Sequence, residues 1–146
     1  MAAKKSFTLL ELLIVIAIIS VLSVIILPGF SNKYNAVKFD NFCFKALDVF
    51  KFSQNKTIQE AKIVTVKIKQ DGLSIYLSDE KAGELLIPAI YEIDSEITSV
   101  DMFPTGEMRL YADSLVLDRA EIELSSKFGV KKIVLLAGAG DVSIEK

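Results

Sequence analysis

Apolar side chains are spaced in three different ways along this chain. They run almost continuously at first, then recur every three or four residues, then every second residue. From Leu12 to Leu27 only Ser20 and Ser23 are polar, and Phe7 to Leu10 extends the run on the other side of Glu11. A helix that is apolar on every face needs lipid or other helices around it. At about 1.5 Å per residue, the stretch from Phe7 to Ile26 reaches roughly 30 Å, the thickness of a bilayer core. A membrane segment is therefore expected, with Lys4 and Lys5 on the cytoplasmic side and the chain beyond Pro28 exported. A cleaved secretory signal has a shorter apolar region and a small-x-small site, and Pro28-Gly29-Phe30-Ser31 offers no such site.

The period then changes. Ala36, Phe39, Phe42, Cys43, Ala46, Val49 and Phe50 recur at spacings of three and four, which predicts one face of an amphipathic helix over 31–57. That helix continues the first past Pro28, with a bend, because proline removes a backbone hydrogen bond and crowds the preceding turn. Phe44 and Phe52 fall off the stripe. They cover either a neighbouring subunit or the edge of the same core, and the core edge is the favoured reading, while Cys43 packs as a small apolar residue.

After about Ile58 the spacing drops to two. Val64, Val66 and Ile68 alternate with Thr65, Lys67 and Lys69, then Gln70-Asp71-Gly72 turns the chain and Leu73, Ile75 and Leu77 alternate again, which predicts a hairpin. Further strands are expected at 85–87, 90–93, 107–111, 115–117, 121–124, 131–137 and 142–144. Pro88 and Pro104-Thr105-Gly106 interrupt them, and Gly138-Ala139-Gly140-Asp141 supplies a last turn. The fold class is α+β: a long N-terminal helix, membrane-spanning and then amphipathic, packed on a mainly antiparallel, β-rich C-terminal head over 58–146.

Composition narrows the chemistry. The 118 residues after Pro28 suffice for one domain with a modest core. With 17 basic and 19 acidic residues there is no broad positive field for nucleic acid. A single cysteine forbids an intrachain disulfide, so packing alone must hold an exported head together. The absence of histidine removes Ser-His-Asp and Cys-His catalysis and most zinc sites. Asp94, Glu96 and Asp101 are the carboxylates nearest to an acid/base group, but carboxylates around short strands ordinarily form a solvated face. Gly138-Ala139-Gly140 is too short for a phosphate loop. No enzyme activity, cofactor or metal is expected.

Glu11 is the anomaly of the apolar run, since an ionisable group inside a membrane helix is costly and commonly functional. Either it lies one turn inside the interface and snorkels to water, or it awaits a positive partner on another chain. Lys4-Lys5-Ser6-Phe7-Thr8-Leu9-Leu10-Glu11, the apolar helix behind it and Pro28 resemble the class III signal of type IV prepilins and pseudopilins. That resemblance implies a leader, residues 1–6, which a prepilin peptidase removes by cutting between Ser6 and Phe7. It also implies N-methylation of Phe7, an assembly contact at Glu11, fifth in the mature chain, and a helix bend at Pro28. Residues 7–30 then form the transmembrane and assembly helix and 31–146 the exported head. Loss of Lys4 and Lys5 leaves 15 basic and 19 acidic residues. The family nearly always has glycine immediately before the cut, where this chain has Ser6, and glycine's backbone freedom is lost there.

The order of elements is similar to the H-type minor pseudopilins of type II secretion and the related FimT-like minor pilins. Phe103-Pro104-Thr105-Gly106 and the Gly-centred end at 138–144 carry that likeness. It implies a minor structural subunit of a type IV pilus or a type II secretion pseudopilus, held in the inner membrane with its N-terminus cytoplasmic, then in a periplasmic or cell-surface filament. Its partners would be prepilin peptidase, other pilin or pseudopilin subunits and an inner-membrane assembly platform. In the filament, Glu11 would meet the positively charged amine of Phe7 on a neighbouring subunit. Two alternatives stay open. One is a DNA-binding minor pilin of a competence pilus, with Lys127, Lys131 and Lys132 as the nucleic-acid contacts. The other is a plain single-pass membrane-anchored domain.

Overall fold

A computed structural model describes residues 8–138 and 140–145, apart from the side chains of 25–30. The chain forms two compact units, residues 1–37 and 38–146. One helix, α1, runs Leu9–Glu60. The helix continues through position 28, so Pro28 does not end it. In the first unit the large apolar side chains from Leu9 to Val24 are all exposed, on every side of the helix. Ser20 and Ser23 turn their hydroxyls back to Ile16 O and Ile19 O, at 2.8 and 2.7 Å, which satisfies their polar groups within the helix. Counted over the described residues, no helix is long and apolar enough to cross a membrane.

In the second unit α1 is amphipathic, as its spacing predicts. Phe39, Phe42, Cys43, Ala46, Leu47 and Phe50 are buried. The helix ends three residues past the expected position, where Ala61 takes a left-handed conformation (φ 51°) that stops the hydrogen-bond ladder. Thr57, fully buried in the last turn, lies with its Oγ1 within hydrogen-bond reach of Lys62 O and at 2.9 Å from Met102 O.

Ten strands follow: β1 (Val64–Lys69), β2 (Gly72–Leu77), β3 (Glu80–Leu86), β4 (Glu92–Ser95), β5 (Ser99–Met102), β6 (Met108–Ala112), β7 (Leu115–Leu117), β8 (Arg119–Ser126), β9 (Gly129–Leu136) and β10 (Asp141–Glu145). They form a six-stranded sheet ordered β3-β2-β1-β5-β6-β7 and a four-stranded sheet ordered β10-β9-β8-β4. Every pairing is antiparallel. An isolated backbone bridge between Met108 and Gly138 links the two sheets. One core joins the inner faces of both sheets to the helical stripe, with Val66, Val100 and Leu110 from the first sheet and Ile122, Ile133 and Leu135 from the second.

Three expectations need correction. Phe44 and Phe52 are 48% and 56% exposed and do not cover the core edge. Lys131 Nζ and Lys56 Nζ lie over their rings at 5.2 and 5.8 Å. Strand β5 stood in no expected strand, although it pairs with both β1 and β6. The Gln70-Asp71 turn is where the sequence predicts it, but Gly72 already belongs to β2 and pairs with Lys69. Its glycine serves close approach, since a Cβ there would meet Leu85 O at 2.6 Å.

Candidate functional site

The first described turn of α1 is built by Thr8-Leu9-Leu10-Glu11. Thr8 N donates to Glu11 Oε2 at 2.9 Å, Thr8 Oγ1 donates to the same oxygen at 3.0 Å, and Glu11 N donates to Thr8 Oγ1 at 3.3 Å. This reciprocal pattern is a capping box, in which threonine at the N-cap and glutamate three residues on satisfy amides that the helix start leaves without partners. Both bonds to the carboxylate converge on Oε2, so Oε1 has no partner among the described residues. Glu11 is exposed. The expectation weighed only snorkelling or an intermolecular partner and missed the third role, although Thr-x-x-Glu before an apolar run is its sequence signature. Ser6 and Phe7, the expected cleavage and methylation residues, lie outside the described residues.

The other singled-out residues do not form a second site. Asp94 and Glu96 flank Ser95 beside an open cleft of about 430 Å³, bordered also by Arg119, Glu121, Glu123 and Lys132. Asp101 is on the other sheet, where it accepts a hydrogen bond from Thr65 Oγ1 at 2.7 Å, so the three carboxylates do not converge. Among the described residues no group of histidine, cysteine and carboxylate side chains could hold a metal ion.

The three lysines weighed for nucleic acid do not share a face. Lys127 is in the β8–β9 turn with its Nζ 5.0 Å from the Phe128 ring. Lys131 and Lys132 are consecutive in β9 and so project to opposite sides of the sheet. Lys131 Nζ lies 2.8 Å from Asp40 on the helix, whereas Lys132 Nζ lies 3.1 Å from Glu121 and 3.7 Å from Glu123. Hydrogen bonding to Glu121 raises the Lys132 ammonium above the ordinary lysine value, and the same contact lowers the Glu121 carboxyl.

Compared with known proteins, residues 1–27 match the family described as the prokaryotic N-terminal methylation motif. No curated protein and no solved structure matches the chain. The matched segment contains the Thr8–Glu11 capping box and the apolar start of α1. The chain thus carries, over residues 1–27, the N-terminal methylation motif of type IV pilins and pseudopilins, which implies processing by prepilin peptidase, a membrane-anchored precursor and assembly with other pilins.

Proposed function

We propose that this chain is a minor structural subunit of a type IV pilus or type II secretion pseudopilus, without enzymatic activity. Before assembly it crosses the inner membrane once, its N-terminus cytoplasmic and its head exported. Prepilin peptidase cuts between Ser6 and Phe7, and Phe7 is methylated. The observation that carries this reading is the methylation motif over residues 1–27. Two features of the helix support it: apolar side chains exposed on all sides from Leu9 to Val24, and Glu11 Oε1 left without a local partner. In the filament such side chains pack against neighbouring helices, and Oε1 receives the amine of Phe7 from an adjacent subunit. Burial makes that pairing selective, because a buried charge deprived of its partner costs several kcal/mol.

Mass spectrometry of the protein from cells expressing the peptidase tests the reading directly. The expected mature chain starts at Phe7 and carries one methyl group on its amine. Ser6→Leu is expected to retain residues 1–6, since a bulky side chain replaces a small one at the cut. A chain that keeps Met1 in the presence of active peptidase, or a Ser6→Leu chain that matures normally, overturns the assignment.

A further inference from the structure

The solvent faces of the two sheets carry opposite charge. Strand alternation places Lys67 and Lys69 of β1, Lys81 of β3 and Arg109 of β6 on the outer face of the six-stranded sheet, with only Glu84 and Asp101 as carboxylates. The outer face of the four-stranded sheet carries Glu92 and Asp94 of β4, Glu121 and Glu123 of β8, and Asp141 and Glu145 of β10, against Arg119 and Lys132. Four cations against two carboxylates thus stand on one sheet, and six carboxylates against two cations on the other.

Local pairing removes the minority charges except Asp101. On the first face Lys81 Nζ holds Glu84 at 2.9 Å, while Asp101 accepts a hydrogen bond from the neutral Thr65 hydroxyl and keeps its charge. Lys67, Lys69 and Arg109 form no ion pair among the described residues, and Lys67 Nζ and the Arg109 guanidinium lie over the rings of Tyr76 and Phe103 at 4.6 and 4.7 Å. On the second face Glu121 occupies both Arg119 and Lys132, at 2.9 and 3.1 Å. Glu92, Asp94, Asp141 and Glu145 have no cation within ion-pair distance among the described residues. Three unpaired cations against the single unpaired carboxylate of Asp101 therefore face outward on one sheet, and four unpaired carboxylates on the other.

We propose that the head binds a second copy of this chain by docking the cationic face of the six-stranded sheet onto the acidic face of the four-stranded sheet. Two like faces would repel, so the charge pattern disfavours a two-fold dimer. Two unlike faces attract, and because each copy keeps one of each unpaired, the contact is heterologous and head-to-tail. Such polar faces contribute register more than affinity, and tethering of the chains in one membrane or filament supplies the effective concentration they need. The inference rests on the filament reading for that tethering only.

Cross-linking of the full-length chain in phospholipid vesicles tests it. Ser99, opposite Lys67 on the cationic face, and Ser125, opposite Glu92 on the acidic face, take the reporter cysteines as Ser99→Cys and Ser125→Cys, bridged by a short bis-maleimide. Cys43 is fully buried and does not compete. A mixture of the two variants is expected to cross-link about tenfold better than either alone, and the yield is expected to fall as salt rises. Lys67→Glu, Lys69→Glu and Arg109→Glu together on the Ser99→Cys copy are expected to abolish it, and Glu92→Lys with Asp94→Lys on the other copy to restore it. Equal yields from single variants, indifference to salt, or failure of the exchanged charges to restore the link overturns the proposal. So does displacement by single-stranded DNA at constant ionic strength, which would assign the cationic face to nucleic acid. The N-terminus is read by mass in the same samples. Cross-links between chains that retain residues 1–6 would remove the filament reading and leave this contact standing.

Discussion

Glu11 has two functions open to it, and they respond differently to substitution. Its Oε2 closes a capping box with Thr8, while the charge on its free oxygen serves the proposed contact with a neighbouring amine. Glutamine keeps the geometry of the box and lacks the charge. Glu11→Gln is therefore expected to be cleaved normally and to keep the helix start intact, yet to lower filament yield, measured by shearing and immunoblotting. Thr8→Ala keeps the charge and loses the box, so the amides of the first turn are expected to exchange with solvent roughly fivefold faster. Equal filament loss in both variants would mean that the cap, and not the charge, matters for assembly. Ser53 makes a simpler case. Its hydroxyl is fully buried without a partner among the described residues, so Ser53→Ala is expected to raise stability by about 1 kcal/mol in urea titration of the detergent-solubilised chain.

Among elements, α1 in the head shows what periodicity conveys and what it leaves out. Phe50 is fully buried, whereas Phe52, two positions on, is more than half exposed. Phe50→Ala is expected to cost about 3 to 5 kcal/mol and Phe52→Ala within about 0.5 kcal/mol, by the same urea measurement. Thr57 ties the end of the helix to β5 by lying near both the Lys62 and Met102 carbonyls, so Thr57→Val is expected to cost about 1 to 3 kcal/mol. The buried stripe and the first hairpin were legible because their partners are close in sequence. Strand β5 was not, since only Val100 and Met102 mark its inner face, and its place is set by β1 and β6, which lie on either side of it in space. Gly72 signalled its turn while concealing its reason, because Leu85 lies thirteen residues away.

For the whole molecule, the division between legible and hidden follows the same rule. The N-terminal motif is a linear pattern, and Lys4, Lys5, Phe7, Glu11 and Pro28 can be read at their spacings without a fold. The charge of the two sheet faces cannot, because it depends on strand register that brings together residues as distant as Asp94 and Glu123. Cys43 is equally invisible as a titrating group until the core is built. Burial pushes its thiol up from 9.0 to about 11. A thiol whose folded value is raised contributes stability fully present below its unfolded value and lost as pH rises through the folded one. The head is therefore expected to lose stability between pH 9 and about pH 11, with the thiol unreactive to iodoacetamide until it unfolds, as followed by mass.

The backbone bridge between Met108 and Gly138 has a mechanical meaning. Beside it, Gln54 Nε2 on the helix donates to Gly140 O at 2.9 Å, and a Cβ at Gly140 would collide with that amide and with Gly106 O. Together with Thr57 and Met102, these links fasten the last turns of the helix to both sheets within a few residues. Tension entering the head along residues 38–60 is therefore divided between two sheets rather than peeling one strand at a time. Single-molecule pulling through Lys38 and the C-terminal end is expected to give one cooperative rupture, which Gly140→Val divides into two weaker steps.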